Sequence, residues 1–415
     1  MERFGGMNIL YYHQYFKFPY QAGGTRSFEI ASELISRGHN VTMVCSYDKA
    51  FSTLKETAKG RYEGAVNGLK IIAFDIPYDN KMGLFKRAVA FAKFALRSAS
   101  LVFTEKYDLL FATSTPISTA FPGILAKIFR PSKKFVFEIR DPWPDVPIAM
   151  GVKNPLFILP MKILELGAYN LADGLVGLSS GMVDIMKKRT RNKAKPIILA
   201  PNMSNIGQFV PTSDRAKNLD GLDDSLFTGI FAGAHGKVNN LGFLLDVAAS
   251  LKKKGRTDIA ILLIGDGREK PELERRAKAE NLDNVKFYPP MPKTRIAEIT
   301  AKCDVGLMVN SDIPLFHYGN SPNKYFEFLA AGLPMLTNMK GFVENGVKDN
   351  KCGLFSEPHD ADAFADNFAF LADNPETCKE MGINARKLAE TEYSRDIITK
   401  RVSALIEQVN PAKPC

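Results

Sequence analysis

Residues 7–46 read MNILYYHQYFKFPYQAGGTRSFEIASELISRGHNVTMVCS. The apolar run MNILYY indicates a short buried strand, and a loop that carries two glycines follows it. The next segment has the apolar spacing of an amphipathic helix, which ends near Gly38, and a second buried strand comes after it. A strand, loop, helix and strand in this order form the basic unit of a parallel sheet covered by helices.

The same alternation continues to about residue 205. Helices are predicted over residues 81–103 and 117–129, and the further strands are LKIIAFDIP, YDLLFATS, KKFVFEIRD, GLVGLS and KPIILAPN. The segment FTGIFAGAHG, residues 227–236, then restarts the pattern of buried strand, glycine loop and helix. Its later strands are IAILLIGDG, NVKFYPP, VGLMVN and PMLTN, between helices that begin near Pro271, Thr294, Asn323 and Ala361.

The chain has 415 residues, more than the roughly 250–300 residues at which one hydrophobic core usually stops growing. We therefore predict an α/β protein with two doubly wound, Rossmann-like domains, which comprise residues 1–205 and 206–394. The last helix, within residues 395–412, has one apolar face and is expected to pack back on the first domain. Ligands of such sheets bind outside the carboxyl ends of the strands, so we expect the site in a cleft where the two sets of strand ends face each other.

Charge and cysteine content exclude several classes of protein. The net charge of +10 arises in residues 1–200, which carry +12, whereas residues 201–415 carry −2. The five cysteines include no C-x-x-C pair, which argues against a disulfide framework and a zinc site. Neither a signal peptide nor a run of about 18 uncharged apolar residues is present. These features predict a cytoplasmic protein.

Glycine clusters follow three predicted strands, as AGGTR (22–26), AGAHGK (232–237) and GDGR (265–268). Glycines at such places let backbone N–H groups approach phosphate oxygens, although they also simply close tight turns. The occurrence of a glycine loop after the first strand of each domain favours a ligand. Neither loop is the dinucleotide fingerprint G-x-G-x-x-G, and the chain contains no P-loop, so nicotinamide chemistry and ATP hydrolysis are poorly supported.

Two short segments carry candidate charged groups. In SPNKYFEFLAAG, Pro322 suits a helix start, and Lys324 and Glu327 share one helical face. A lysine can bind phosphate and a carboxylate can accept hydrogen bonds from the vicinal hydroxyls of ribose, although an exposed helix pair has the same spacing. In FEIRDPWPD, a buried strand delivers Arg140 and Asp141 to its carboxyl end, near Trp143, which suits contact with a sugar or a stiff structural loop.

These motifs, in this order along nearly the whole chain, resemble the retaining glycosyltransferases of family 4, which have the GT-B fold. The residues GGTRS, IRDPWPD and GAHGKVNN further resemble the bacterial subgroup typified by L-N-acetylfucosamine transferases, which build O-antigen and capsule repeats. Two positions depart from the family pattern. Many members have a second glutamate where this chain has Gly319, and an arginine where it has Ala234, for which Lys237 could compensate.

The resemblance implies a retaining glycosyltransferase that moves a sugar from a nucleotide-sugar donor, UDP-linked, to a lipid-linked or glycan acceptor. It implies catalytic roles for Arg140, Asp141 and Lys324, and acceptor contacts for Arg26 and Trp143. The expected donor-binding residues are Gly23, Gly24, Gly233, His235, Gly236, Lys237, Asp266, Pro290, Asn323, Lys324 and Glu327.

The mechanism that the resemblance implies needs no cofactor. The leaving diphosphate helps to deprotonate the acceptor on the same face of the sugar, and glycine N–H groups, Lys237 and Lys324 stabilise its charge. Since no carboxylate pair has metal spacing, we predict metal independence.

The basic segment within residues 81–106 suits an interfacial helix on the anionic inner face of the cytoplasmic membrane, or an amphipathic helix packed on its own sheet. A rival enzyme is a UDP-sugar 2-epimerase of the GT-B fold. A nucleic-acid-binding protein, suggested by charge alone, lacks interleaved aromatics, zinc spacing and a basic helix-turn-helix signature.

Overall fold

The computed structural model describes residues 6–21, 24–78, 82–149, 151–214 and 216–410. The chain divides into two compact units. The first comprises Met1–Pro201 with Ile398–Cys415, and the second comprises Asn202–Ile397. Each unit is built around its own largely parallel sheet with helices, which confirms the predicted α/β class and the two Rossmann-like domains.

The first unit contains a nine-stranded sheet within its described residues. Its strands are β1 (Asn8–Tyr12), β2 (Asn40–Ser46), β3 (Lys55–Ala58), β4 (Arg61–Val66), β5 (Leu69–Phe74), β6 (Leu109–Thr113), β7 (Lys134–Ile139), β8 (Gly174–Gly177) and β9 (Ile197–Leu199). They lie in the order β3-β4-β5-β2-β1-β6-β7-β8-β9. All neighbours are parallel except β3–β4 and β4–β5, which are antiparallel. The chain order reverses beside β1, so β1 and β6 flank the crevice where a ligand of such a sheet binds.

The helices of the first unit cover both faces of this sheet. They are α1 (Arg26–Ser36), α2 (Leu84–Ala99), α3 (Leu101–Thr104), α4 (Ala120–Phe129), α5 (Asp145–Ala149), α6 (Pro155–Leu171) and α7 (Ser180–Arg189). Phe94 of α2, Ala126 of α4 and Ala168 of α6 belong to one buried cluster with residues of the sheet, so these three helices lie on the same face.

The second unit contains a six-stranded sheet in the part that the structure describes, and all its strands are parallel. The strands are β10 (Phe227–Ala232), β11 (Ile259–Ile264), β12 (Val285–Tyr288), β13 (Val305–Met308), β14 (Met335–Thr337) and β15 (Gly353–Phe355). Their order, β12-β11-β10-β13-β14-β15, is that of a dinucleotide-binding sheet, with its crevice between β10 and β13. The six residues of β11 are all buried, because helices cover both faces.

Four helices of the second unit begin close to the predicted positions, at Lys270, Lys293, Asn323 and Ala361. They are α8 (Gly242–Lys253), α9 (Lys270–Ala279), α10 (Lys293–Lys302), α11 (Pro314–Tyr318), α12 (Asn323–Ala331), α13 (Phe342–Asp349), α14 (Ala361–Asp373) and α15 (Pro375–Thr391). The last helix, α16 (Arg395–Val409), belongs to the first unit from Ile398 onward, where Glu407 binds Arg37 and His39.

The basic segment of the first unit packs mainly on its own sheet. Ala90, Phe94 and Ala95 on α2 are buried. Of its cations, Arg87 stacks over the ring of Tyr78, and Arg97 stacks over Phe74 and donates to the Lys59 carbonyl. Packing within the unit therefore accounts for one face of α2, whereas Phe85 and Leu96 of the same helix are exposed.

Candidate functional site

Two glycine loops interlock at the carboxyl ends of β10 and β11. A Cβ atom on Gly265 would lie 1.9 Å from the carbonyl oxygen of Gly233, and one on Gly267 would lie 2.2 Å from that of His235. The His235 N–H donates to the Asp266 carbonyl at 2.8 Å. Only glycine permits backbones to approach this closely, so the two loops form one continuous wall of backbone.

The helix α12 directs Lys324 against this wall. Its Nζ lies 4.4 Å from the ring centroid of Phe231 and 3.1 Å from the point where a Cβ on Gly233 would stand. Burial lowers the pKa of Lys324, and nearby Glu327 partly opposes this shift. The arrangement holds a cation at the carboxyl end of β10, which is suited to an anionic ligand.

Glu327 lies three residues after Lys324 and binds a cation that the sequence did not single out. Its Oε1 forms an ion pair with Lys293 Nζ at 3.1 Å, and this Nζ also lies 5.9 Å from the ring centroid of Phe209. Lys293 and Glu327 are 34 positions apart, so local spacing gave no signal for this pair. Lys293 is about half exposed, so its ammonium group can move away and release the carboxylate for a ligand.

His235 is fully buried within the glycine wall. Neither ring nitrogen has a hydrogen-bond partner among the described residues. Burial, together with the positive charge of Lys270, lowers the pKa of His235 to about 4. Lys270 itself donates from Nζ to the carbonyls of Gly265 and Tyr288, both at 2.9 Å, and thereby fixes the second glycine loop. The imidazole is therefore neutral at pH 7.

The lowered pKa of His235 predicts a pH-dependent stability of the second unit. The unfolded chain binds a proton at this residue more readily than the folded chain, so stability is present above pH 6.5 and falls as the pH approaches 4. The loss should be on the order of 3 kcal/mol. We expect His235→Gln to remove most of this dependence, measured by hydrogen exchange of residues 227–264 at pH 7 and pH 4.5.

The matched control for that measurement is His359→Gln, because the His359 side chain is 82% exposed. Its replacement should leave the pH dependence of the second unit as in the unchanged protein. Equal pH dependence in the His235→Gln variant and the unchanged protein would contradict the assignment.

The remaining donor candidates of the second unit lie at the same edge of the sheet. Lys237, Asp266, Pro290 and Asn323 are exposed and Gly236 is partly buried. The carboxylate of Asp266 accepts from the N–H of Gly267 at 2.8 Å, so it shapes its own loop.

Sequence reasoning missed the carboxylate of Asp312 in the loop after β13, which lies near His317 of α11 and near His359, which follows β15. Asp312 accepts from His317 Nε2 at 2.6 Å, and His359 Nε2 lies 3.6 Å from its other oxygen. Ser311, the preceding residue, donates from its hydroxyl to the Lys237 carbonyl at 2.6 Å, which ties this loop to the first glycine loop. Asp312 thus supplies a carboxylate at this edge of the sheet, although Gly319 occupies the position where many family members have a glutamate.

The first unit places Arg140 and Gly24 together beside the end of β1. A Cβ on Gly24 would lie 3.6 Å from Arg140 Nη2, and Arg140 Nη1 donates to His13 Nε2 at 3.2 Å. His13 is buried, its Nδ1 has no partner in the described part of the chain, and burial and Arg140 hold its pKa well below the usual value. His13 is a further residue that the sequence did not identify.

Asp141 and Trp143 follow β7 in the same unit. Burial raises the pKa of Asp141, which Arg140 and a 3.2 Å hydrogen bond from Thr115 partly offset. Trp143 packs edge-on against Phe91 at 6.5 Å, and its buried Nε1 finds no acceptor within the described residues. The loop after β7 therefore holds a carboxylate of raised pKa and a buried indole N–H without an acceptor in the described part of the chain.

Arg26 is buried, whereas contact with an acceptor requires an exposed side chain. Its side chain is 3% exposed and donates to Glu138 from Nε and Nη2, and to the carbonyls of Ala200 and Pro201. These bonds give it a structural role in the interior of the first unit, contrary to the exposed position expected for an acceptor contact. Gly23 lies outside the described residues.

Within the described ranges of the chain, no group of three or more His, Cys, Asp and Glu side chains is arranged to hold a metal ion. In the same ranges, no helix combines the length and the apolar character needed to cross a bilayer.

Both halves of the chain match family models. Residues 22–202 match the model described as "Glycosyl transferase 4-like domain", and residues 213–388 match the model described as "Glycosyl transferases group 1". A curated relative, the D-inositol 3-phosphate glycosyltransferase of Pseudarthrobacter chlorophenolicus, is 26% identical over 227 residues. That match covers about half of each protein, 52% of both.

Solved structures share the fold over nearly the whole chain. Sucrose-phosphate synthase from Thermosynechococcus elongatus superposes with a TM-score of 0.77 at 16% identity, covering 98% of this chain and 100% of that one. HepE from Anabaena, in complex with UDP, gives a TM-score of 0.71 at 16% identity, covering 97% and 100%. With two Rossmann-like units and the two matched domains in tandem, the chain belongs to the glycosyltransferases of the GT-B type.

Proposed function

We propose that the protein is a retaining glycosyltransferase that takes a sugar from a UDP-linked donor and passes it to a lipid-linked or glycan acceptor in bacterial surface polysaccharide synthesis. The observation that carries this proposal is Lys324 Nζ beside the Gly233 loop, with the Glu327 carboxylate on the same helix. This pair matches the two polar parts of a nucleoside diphosphate, the diphosphate and the ribose.

The diphosphate binds the glycine wall in this proposal. The N–H groups around Gly233 and the ammonium of Lys324 stabilise the charge that develops as the bond from the sugar to the diphosphate breaks. This is preorganised electrostatic stabilisation, which costs no rearrangement at the moment of reaction. Lys237, which is exposed on the same loop, adds a second cation in place of the arginine that Ala234 replaces.

The ribose binds Glu327, whose two oxygens accept hydrogen bonds from the vicinal hydroxyls. Lys293 then has to move from the Glu327 carboxylate, 3.1 Å away, toward another acceptor on the donor. The carboxylate of Asp312, with His317, holds hydroxyls of the transferred sugar, because its loop is tied to the first glycine loop through Ser311. This contact takes the place of the acid missing at Gly319.

Chemistry at the sugar follows a balanced same-face exchange. The bond from the anomeric carbon to the diphosphate oxygen breaks, the acceptor oxygen bonds to that carbon from the same side, and the acceptor proton passes to the leaving diphosphate. Catalytic roles for Arg140 and Asp141 are part of this proposal. The raised pKa of Asp141 allows its carboxyl group to take a proton more readily than an exposed one. Metal independence is part of this proposal.

A nucleotide-sugar screen tests the donor. We expect UDP and one UDP-sugar to raise the melting temperature, since a ligand that binds only the folded state stabilises it by about 2.7 kcal/mol at a hundred times its Kd. Glu327→Ala should abolish most of this shift. Glu298→Ala removes an exposed carboxylate of α10 and serves as the matched control. Stabilisation by none of the nucleotides would overturn the donor assignment.

Product analysis tests the reaction. UDP should appear only when an acceptor is supplied, the new linkage should keep the anomeric configuration of the donor, and a chelator should leave the rate unchanged. Conversion of the UDP-sugar into its C2 epimer without an acceptor would favour the 2-epimerase hypothesis. The lipid-linked acceptor and the location at the inner membrane face are proposed on the cationic character of the first unit.

A further inference from the structure

A row of aliphatic side chains on α6 is exposed to solvent. Leu156, Leu159 and Ile163 are 80%, 59% and 62% exposed, and Leu166 is also exposed. These positions follow each other by three, four and three residues, so they lie on one face of the helix. Scattered exposed leucines are ordinary, but a continuous apolar row of this length marks an interaction surface.

The helix is held so that this row faces outward. On its opposite side, Ala168 and Tyr169 are buried, and Glu165 is buried and binds Arg189 of α7. A Cβ on Gly167 would lie 2.9 Å from Ile124 of α4, so the two helices are packed closely. Asn154 caps the start of α6 by accepting from the N–H of Leu156. The exposed row is therefore not a core face left open by a loosely attached helix.

The apolar surface continues onto the neighbouring helices. Lys127 near the end of α4 donates to Asp173, just beyond α6, at 3.2 Å, so the carboxyl ends of α4 and α6 lie side by side. Phe129, at the end of α4, is exposed and packs edge-on against the exposed Phe103 of α3 at 5.9 Å. We call this surface the α4–α6 face, defined by Phe103, Ile128, Phe129, Leu156, Leu159, Ile163 and Leu166.

The helices that carry the α4–α6 face contain no exposed acid, and Asp173 just beyond α6 is paired with Lys127. The helices α2, α3 and α4 contain no Asp or Glu, and the only acid of α6 is the buried Glu165. Lys162 is exposed beside the aliphatic row, and Lys153 is exposed just before α6. Arg130 stacks over Phe103 and places its charge at the edge of the face. An apolar surface bordered by cations is complementary to an anionic surface that has an apolar interior.

We propose that the α4–α6 face docks on the surface of an anionic phospholipid bilayer, with the leucine row of α6 among the upper parts of the acyl chains. Cationic side chains then meet the lipid phosphates, and the apolar side chains leave water. A second copy of this chain fits less well, because two such faces would bring like charges together. This contact differs from the one that the sequence suggested, since it uses the exposed aliphatic row of α6 and not the basic segment within residues 81–106.

Docking in this way favours one class of acceptor. A glycan attached to a lipid keeps its lipid in the bilayer, so an enzyme lying on the same surface searches for it in two dimensions. This consequence rests on the proposed function, whereas the docking itself does not. The two can therefore be tested in one preparation, with nucleotide binding for the first and vesicle binding for the second.

Vesicle flotation of the full chain tests the docking. We expect the protein to float with vesicles of phosphatidylglycerol and phosphatidylethanolamine, and less with phosphatidylcholine alone or at high salt. The double variant Leu159→Glu with Ile163→Glu should bind at least about tenfold more weakly, because acids then face the lipid phosphates. The matched control is Phe370→Glu with Ile383→Glu, which changes two exposed apolar residues of the second unit and should float like the unchanged protein.

Other outcomes overturn the proposal. Equal flotation of the α6 variant, equal binding to phosphatidylcholine, or no flotation of the unchanged protein would each do so. A dimer in sedimentation that the α6 variant dissociates, without vesicle binding, would assign the face to a second copy. Should the double variant fail to fold, Leu156→Ser, at the most exposed position, replaces it and should weaken flotation. UDP stabilisation without flotation refutes only the docking, and flotation without nucleotide stabilisation refutes only the proposed function.

Discussion

Replacing Lys324 with alanine is expected to lower the turnover of the donor by roughly 10²–10³-fold, the usual cost of removing one preorganised group that stabilises a leaving charge. The reason is its place: the Nζ lies against the Gly233 loop and above the Phe231 ring, where burial already lowers its pKa. A charge in such surroundings acts more strongly than one in water. The measurement is acceptor-dependent release of UDP at saturating donor.

Two further variants define that prediction. Lys324→Met keeps an aliphatic stem against Phe231 without the charge, so it should lose as much activity as the alanine variant while retaining the melting temperature. Lys253→Ala, an exposed lysine of α8, is the control and should be fully active. The kcat should fall more than the donor affinity, because the ammonium group acts mainly on charge that develops during the reaction. Undiminished turnover in both Lys324 variants would remove this residue from the catalytic machinery.

The order of strands and helices was predictable because it depends on local patterns. Buried parallel strands are continuous apolar runs, and helices such as α12 start and stop at Pro322 and Gly332. The antiparallel hairpin of β3 and β4 was not predicted, since β3 is wholly exposed and has no apolar alternation. The helix α6 was also missed, because apolar residues occur on its exposed face as well as its buried one and so hide the helical period.

The site was predictable where a motif is contiguous and not where it depends on contacts between distant residues. Lys324 and Glu327 were found because one helix carries both. Lys293 was missed because its partner, Glu327, is 34 positions away. Asp312 was missed because only the fold brings its carboxylate close to His317 and His359. Burial of individual side chains was not predictable either. Sequence spacing cannot reveal that His235 is enclosed by two glycine loops without a hydrogen-bond partner among the described residues.

Arg26 is a buried cation whose position the sequence did not reveal, and it is paired with the buried Glu138. Replacing Glu138 with glutamine should destabilise the first unit by about 3–5 kcal/mol, because it leaves the guanidinium of Arg26 buried without its counter-charge. Thr113 also loses a charged acceptor, since its hydroxyl donates to Glu138 at 2.7 Å. The measurement is urea unfolding followed by the fluorescence of Trp143, the single tryptophan, which reports on the first unit alone.

A double variant of the Arg26–Glu138 ion pair shows whether the loss of stability comes from an uncompensated charge or from lost hydrogen bonds. In the double variant Arg26→Met with Glu138→Leu, no uncompensated charge remains, so much of the stability should return, as often happens when a whole buried ion pair is replaced by apolar residues. The carbonyls of Ala200 and Pro201 then lose their donors, so recovery should be incomplete. An unchanged unfolding midpoint in Glu138→Gln would mean that Arg26 is not held by this pair, and its assignment as an acceptor contact would regain support. A large loss in the single variant with recovery in the double one would instead establish that Arg26 anchors the end of β9 to the interior of the first unit.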